Sequence, residues 1–231
     1  MIGSTPSRPP FPVTLDNWQT AEQVGWTFCH IAEIFPTATI SRGSQRAVRL
    51  RRRIMSFADL SCQDADGEST TVGAIMKATE TDGWMVVHNG KLVAEHYAGA
   101  MEPDTLHLLM SVSKSVVGIL VGALAGEGVL NVDEQVTTYV SELEHSGYRG
   151  ATVRQLLDMR SGIAFSEDYL DPDAEVRVLE QAVGWAPRRS PDVPKTLRRF
   201  LLMLRQAREH GGPYEYRSCE TDVLGWVCEA A

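Results

Sequence analysis

The clearest alternation of apolar and polar positions lies between Gly83 and Gly99. There Trp84-Met85-Val86-Val87-His88 and Leu92-Val93-Ala94-Glu95-His96-Tyr97 flank Asn89-Gly90, a dipeptide suited to a tight hairpin turn. This pattern predicts a two-stranded antiparallel ribbon, and because an isolated ribbon is marginal in water, it predicts a larger sheet for these strands to join. A different pattern follows Pro103: Ser111 to Ala125 is apolar almost all round, broken by Ser115, Gly118 and Gly122 and stopped by Gly126 and Gly128. It predicts a helix sunk in a core on most of its surface. Thr196 to Glu209 predicts a second amphipathic helix, ended by Gly211-Gly212-Pro213, and Asp222 to Val227 a third. From Asp133 onward, short helical patterns alternate with turns at 145–150, 160–162 and 187–194. Before the hairpin the signal is weaker. Ala21 to Ile34 lacks clean periodicity, and Arg46 to Arg53 packs five arginines into a helical-looking span that reads best as a solvated face. No repeat and no low-complexity tract is present.

The composition changes this picture only by exclusion. The chain has 231 residues, 43% hydrophobic and 23% charged, enough for one globular domain or an unequal pair, and unlike a disordered tail or a coiled coil. Its net charge of −8 repels phosphate backbones and anionic lipid, so neither nucleic acid nor a membrane is an expected partner. Four cysteines without CxxC spacing read as reduced thiols. Met1 to Pro12 holds four prolines and no apolar run, so residues 1–17 are expected to form an extended arm, and the protein is expected to be cytoplasmic.

No GxSxG, HExxH, GxxxxGK or GxGxxG string occurs, and the six histidines show no ligand spacing. What remains is Ser111-Val112-Ser113-Lys114, the single Ser-x-x-Lys of the chain, at the entrance to the apolar helix. Residues at i and i+3 share a helix face, so hydroxyl and amine come within reach of each other. A helix starting at Ser111 would place N–H donors and the positive dipole end beside an oxyanion. A partly desolvated lysine next to a hydroxyl is the arrangement of a base and its nucleophile. The same residues also suit an N-cap serine and a lysine that reaches solvent. The second feature is Tyr214-Glu215-Tyr216-Arg217-Ser218. In an extended segment Tyr216 and Ser218 point to the same side and could share one substrate or one proton, or serve as a packing tyrosine and an N-cap.

Together the two features resemble the serine β-lactamase and penicillin-recognising superfamily, in which Ser-x-x-Lys and a Tyr-x-Asn or Tyr-x-Ser supply nucleophile, base and proton carrier. Longer strings narrow the resemblance. His107-Leu108-Leu109-Met110-Ser111-Val112-Ser113-Lys114-Ser115, Glu167-Asp168-Tyr169-Leu170-Asp171-Pro172 and Thr221-Asp222-Val223-Leu224 look like those of the 6-aminohexanoate-dimer hydrolases. The resemblance runs from about Trp18 to the last residue and is loose before Gly83. It implies an α/β (α+β) fold, an antiparallel sheet flanked by helices plus a mainly helical domain. On that basis 18–110 would be the N-terminal part of the α/β domain and 111–231 the helical domain. It implies that Ser111 is acylated, that Lys114 is its base partner, and that Tyr216 relays a proton to the leaving amine. Tyr169 would close over the substrate amide, Ser218 would orient Tyr216, and Glu180 would meet the substrate ammonium. Surface packing for Tyr169 and an unpartnered surface carboxylate for Glu180 are the simpler alternatives.

The resemblance also predicts a third motif, a Lys-Thr-Gly-like or His-x-Gly-like strand, and none occurs before Ala231. The chain is therefore expected to be the N-terminal portion of a longer enzyme, with its sheet incomplete, and to be inactive by itself. The expected activity of the whole enzyme is hydrolysis of a small linear amide or ester through an acyl-enzyme, without cofactor or metal. A β-lactamase, a carboxylesterase or a non-catalytic ligand-binding relative of the same fold are the competing readings. Oligomeric state is not legible.

Overall fold

A computed structural model describes residues 8–231, which divide after Leu108 into two compact units. The first seven residues of the expected arm lie outside the described residues. Residues 8–14 form no regular element, and the Gln23 side chain donates to the Phe11 carbonyl at 3.0 Å.

The first unit holds α1 (Ala21–Thr27), α2 (Ile31–Ile34), β1 (Arg51–Arg52), β2 (Ser61–Gln63), β3 (Ser69–Thr71), α3 (Val72–Ala78), β4 (Gly83–His88) and β5 (Lys91–Tyr97). β4 and β5 form the expected hairpin, with Trp84 opposite His96 and Met85 opposite Glu95. Asn89 and Gly90 both have positive φ, 49° and 69°, as a two-residue turn that follows the strand twist requires. The hairpin gains a third strand: β1 pairs parallel with β5, giving the order β1-β5-β4. The sheet is thus mixed where an antiparallel one was expected. The helical expectation for 46–53 also fails, because Arg53 and Met55 continue the ladder, donating to the Leu92 and Val93 carbonyls at 2.8 Å each. β5 is the central strand, and Leu92, Val93 and Ala94 are buried in succession. β2 and β3 make a separate antiparallel pair, and Thr71 then caps α3 by accepting from the Ala74 N–H.

The second unit begins with a 3-10 turn, Met110–Val112, that feeds α4 (Ser113–Gly126). It continues through α5 (Val136–Tyr139), α6 (Val153–Leu157), α7 (Glu175–Ala182), α8 (Leu197–Met203) and α9 (Ser218–Ala230). Val121, Val136, Leu143, Leu156, Ile163, Leu201 and Val227 form a fully buried core. α6 starts with a reciprocal capping box between Thr152 and Gln155.

Two helices differ from expectation. α8 ends at Met203, six residues early, because 204–207 pair with other backbone instead: Gly147 and Ala164 donate to the Leu204 and Arg205 carbonyls at 2.8 Å, and Ala207 donates to Gly162. Only glycine permits this approach, since a Cβ at Gly147 would meet the Arg205 carbonyl carbon at 2.5 Å. α4 is not buried on most of its surface. It packs against α9, but Val121 is its single fully enclosed apolar residue, and Val116, Ile119 and Leu120 are exposed.

Among the described residues no helix is long and apolar enough to cross a membrane. The four cysteines are unpaired.

Candidate active site

Ser111 lies inside the 3-10 turn, two residues before α4 begins, and not at the helix N-terminus that its sequence suggests. Met110, just ahead of it, has φ 45°. This left-handed conformation is costly for a side chain and turns the chain sharply at the serine. One turn on, the Lys114 Nζ donates to the Ser111 Oγ at 3.1 Å.

The third group arrives from far along the chain. Tyr216 lies in an extended segment that ends at Arg217 (φ −144°, ψ 120°), the residue before α9. Its hydroxyl donates to the Ser111 Oγ at 2.9 Å, and the Lys114 Nζ is 5.7 Å from the centre of its ring. Alcohol, amine and phenol, separated by up to 105 residues, therefore converge on one oxygen. Ser111 and Tyr216 are exposed and Lys114 is half-buried, so the oxygen is open to a substrate.

Ser218 opens α9 and donates to the Glu167 Oε1 at 2.5 Å. The other Glu167 oxygen is buried with no hydrogen-bond partner among the described residues. Tyr169 stands two residues away, about half exposed. Partial burial, and next the Glu167 charge, raise its phenol above the ordinary value, while a hydrogen bond with Ser218 acts in the other direction. Glu180, expected to meet a substrate ammonium or else to be an unpartnered surface carboxylate, is not unpartnered. It is buried on α7 and takes the Arg177 guanidinium at 2.8 Å. Arg177 also lies 5.4 Å from the Tyr169 ring centre and donates to the Tyr169 carbonyl through Nε at 3.1 Å. Glu180 thus holds the arginine that holds the Tyr169 loop.

Two acids escaped the sequence reading. Asp222 is one helical turn beyond Ser218, on the same face of α9. Burial pushes its carboxyl up to about 6, opposed by the attraction of Lys114 and assisted by the repulsion of Glu167. Glu167 itself stood in the acidic loop without an assigned role. The i, i+4 spacing from Ser218 was the available signal for Asp222. For Glu167, only the folded loop identifies the partner. Among the described residues no three His, Cys, Asp or Glu side chains are grouped to hold a metal ion.

The chain belongs to the Beta-lactamase family, whose profile matches residues 69–231. The 6-aminohexanoate-dimer hydrolase of Paenarthrobacter ureafaciens is 38% identical over 221 residues, covering 94% of this chain and 53% of the relative. A Bacillus anthracis structure bearing a 6-aminohexanoate-dimer hydrolase designation superposes with a TM-score of 0.85 at 24% identity, covering 94% of this chain and 57% of that one. A Bacteroides dorei structure with a beta-lactamase designation gives 0.51 at 21% identity over 69% of this chain and 44% of that one. These likenesses establish the beta-lactamase-like α/β fold. The chain spans about half the length of the curated relative it matches.

Proposed function

We propose that this protein is a serine hydrolase that cleaves linear amides or short esters through an acyl-enzyme on Ser111, with substrates resembling 6-aminohexanoate oligomers. The observation that carries the reading is the double hydrogen bond onto the Ser111 Oγ from Lys114 and Tyr216. For attack, one of these two donors must first lose a proton and become the acceptor of the serine O–H. Oγ then bonds to the carbonyl carbon while its proton moves to Lys114. Tyr216 delivers a proton to the leaving nitrogen as the C–N bond breaks, and is reprotonated by Lys114. Water attacks the resulting ester, losing its proton to the same pair, and the acid leaves as Ser111 regains its hydrogen. Acyl transfer of this kind needs neither metal nor redox cofactor.

The unpartnered oxygen of Glu167 favours a substrate with a cationic end, since an ammonium there would supply a charge-assisted hydrogen bond. The 38% identity to a 6-aminohexanoate-dimer hydrolase supports the same substrate class. In this reading Tyr169 closes over the amide, Ser218 orients Tyr216, and Glu180 acts on substrate indirectly through Arg177. We infer a cytoplasmic enzyme acting on small molecules, without nucleic acid or membrane partners.

The test is mass spectrometry of the full-length protein after incubation with p-nitrophenyl acetate, with the linear dimer, p-nitrophenyl esters and a cephalosporin assayed in parallel. A stoichiometric adduct on Ser111 and turnover of the dimer are expected. An unmodified Ser111 in a folded protein would reject the reading, and preferential opening of the cephalosporin would replace the amidase by a β-lactamase.

A further inference from the structure

Among the described residues Tyr216 has one side-chain hydrogen bond, to Ser111, and it is more than a third exposed. Its own packing therefore does little to hold the phenol in place, whereas both of its chain neighbours are anchored. The Glu215 N–H donates to the Met159 carbonyl at 2.9 Å, and its carboxylate is paired with Arg208 and, at 2.5 Å, with Arg217. Arg217 is the unusual member, because its side chain is only 2% exposed. It lies 3.7 Å from the Glu220 Oε1 and donates to the Glu215 carbonyl at 3.2 Å. Glu220 in turn is fully enclosed and accepts from the Ser161 Oγ at 2.5 Å. Ser161 belongs to a loop fixed by His210, which bonds its carbonyl.

A buried ion pair of this kind is weak evidence for stability, because desolvation offsets most of the attraction. The cluster remains incompletely satisfied, since the Arg217 Nε and the Glu220 Oε2 are buried without partners among the described residues. Its location offers an explanation. It spans the residue before Tyr216, the residue after it and the first turn of α9, and so fixes the backbone from which the phenol projects.

We propose that Glu220 is a positioning residue, which through Arg217 and Ser161 holds the segment Glu215–Arg217 so that the Tyr216 hydroxyl reaches Ser111. The proposal rests on the reading of Tyr216 as the proton carrier, but its geometric content can be measured without turnover. Burial raises the Glu220 carboxyl to about 7, against the opposing hydrogen bond from Ser161 and the charge of Arg217. The ionised form, which pairs with Arg217, therefore gains population as pH rises through neutrality. The other charged or titratable groups around it are Glu215 and Arg208 on the preceding segment, Tyr148 on the loop before α6, Cys219 and Asp222 on α9, and His210 through Ser161.

The experiment uses protein labelled with 3-fluorotyrosine, the Tyr216 resonance being assigned with Tyr216→Phe. Ser111→Ala defines the shift produced when the phenol loses its acceptor. Glu220→Gln is expected to move the Tyr216 resonance in the same direction, with the Tyr139 resonance unmoved. It is also expected to lower the rate of Ser111 acylation by p-nitrophenyl acetate about 10-fold with little change in KM. In the wild type the Tyr216 resonance should report the ionisation of Glu220 by an inflection near pH 7, lost in Glu220→Gln and kept in His210→Gln. Ser161→Ala, a milder change that removes one hydrogen bond, should shift it less in the same sense and carries the test if Glu220→Gln does not fold. A Tyr216 resonance that ignores these substitutions and pH would overturn the proposal. Absence of Ser111 acylation in the wild type with these shifts intact would reject the hydrolase reading while leaving the positioning role supported.

Discussion

α4 and α9 are nearly equal in length, pack against each other, and each brings chemistry to the site from the residues at its entrance. Ser111 and Lys114 come with α4, Tyr216 and Ser218 with α9. Their burial is opposite to what their sequences suggest. α4, apolar almost all round, encloses one residue completely, Val121, whereas α9, which contains two glutamates and an aspartate, buries eight, among them Glu220. Apolarity reports how much surface a helix could bury, and the neighbours it meets decide how much it does. Buried acids on α9 are tolerated where a partner stands ready, as Arg217 and Ser161 do for Glu220.

The largest expected effect tests whether both entrances are needed for one reaction. Ser111→Ala should remove acylation altogether, and Tyr216→Phe should slow it by about 10²- to 10⁴-fold, measured by adduct mass against time. A Tyr216→Phe protein acylated at the wild-type rate would leave α4 carrying the chemistry alone. Glu167→Gln should raise KM for the linear dimer by about 10-fold while leaving a neutral ester unaffected, as expected of a lost charge-assisted contact. Equal losses on both substrates would reassign Glu167 to holding Ser218.

Stability should separate the two helices as clearly. Leu224→Ala, on the enclosed face of α9, should cost about 2–5 kcal/mol in urea unfolding. The acids of α9 add a pH dependence. Glu220 and Asp222 have folded-state values raised from 4.5 to about 7 and from 3.8 to about 6, so the folded chain holds protons that the unfolded chain releases. The stability they contribute is present below the lower value of each pair and is lost as pH rises through the upper. The urea midpoint should therefore fall between pH 4 and 7, and Glu220→Gln should flatten the upper part of that fall. The smallest effect belongs to α4, where Ile119→Ala, at an exposed position, should change stability by about 0.5 kcal/mol or less. A loss as large as that of Leu224→Ala would show that this face of α4 is covered in solution.

The features legible in the sequence are those whose cause is local. Asn89-Gly90 dictates its own turn, and the i, i+3 spacing brings Lys114 over Ser111 across the 3-10 turn that leads into α4. The Tyr216-x-Ser218 spacing flagged a second reactive segment, but not that its tyrosine would meet Ser111 while its serine turned to Glu167. Contacts across 105 and 51 residues depend on how the loops close.

The amino-acid order thus determined the hairpin, the apolar helix and the Ser-x-x-Lys pair, because turn geometry and helical spacing act over a few residues. Tertiary structure decided the rest. It drew 204–207 out of a helix by pairing them with Gly147, Gly162 and Ala164, recruited Arg51–Arg52 into the sheet, and gave Glu167 to Ser218. In each case a backbone or charged group took the partner that distant chain brought within hydrogen-bond reach, and an unmet polar group in a protein interior costs more than any local preference provides.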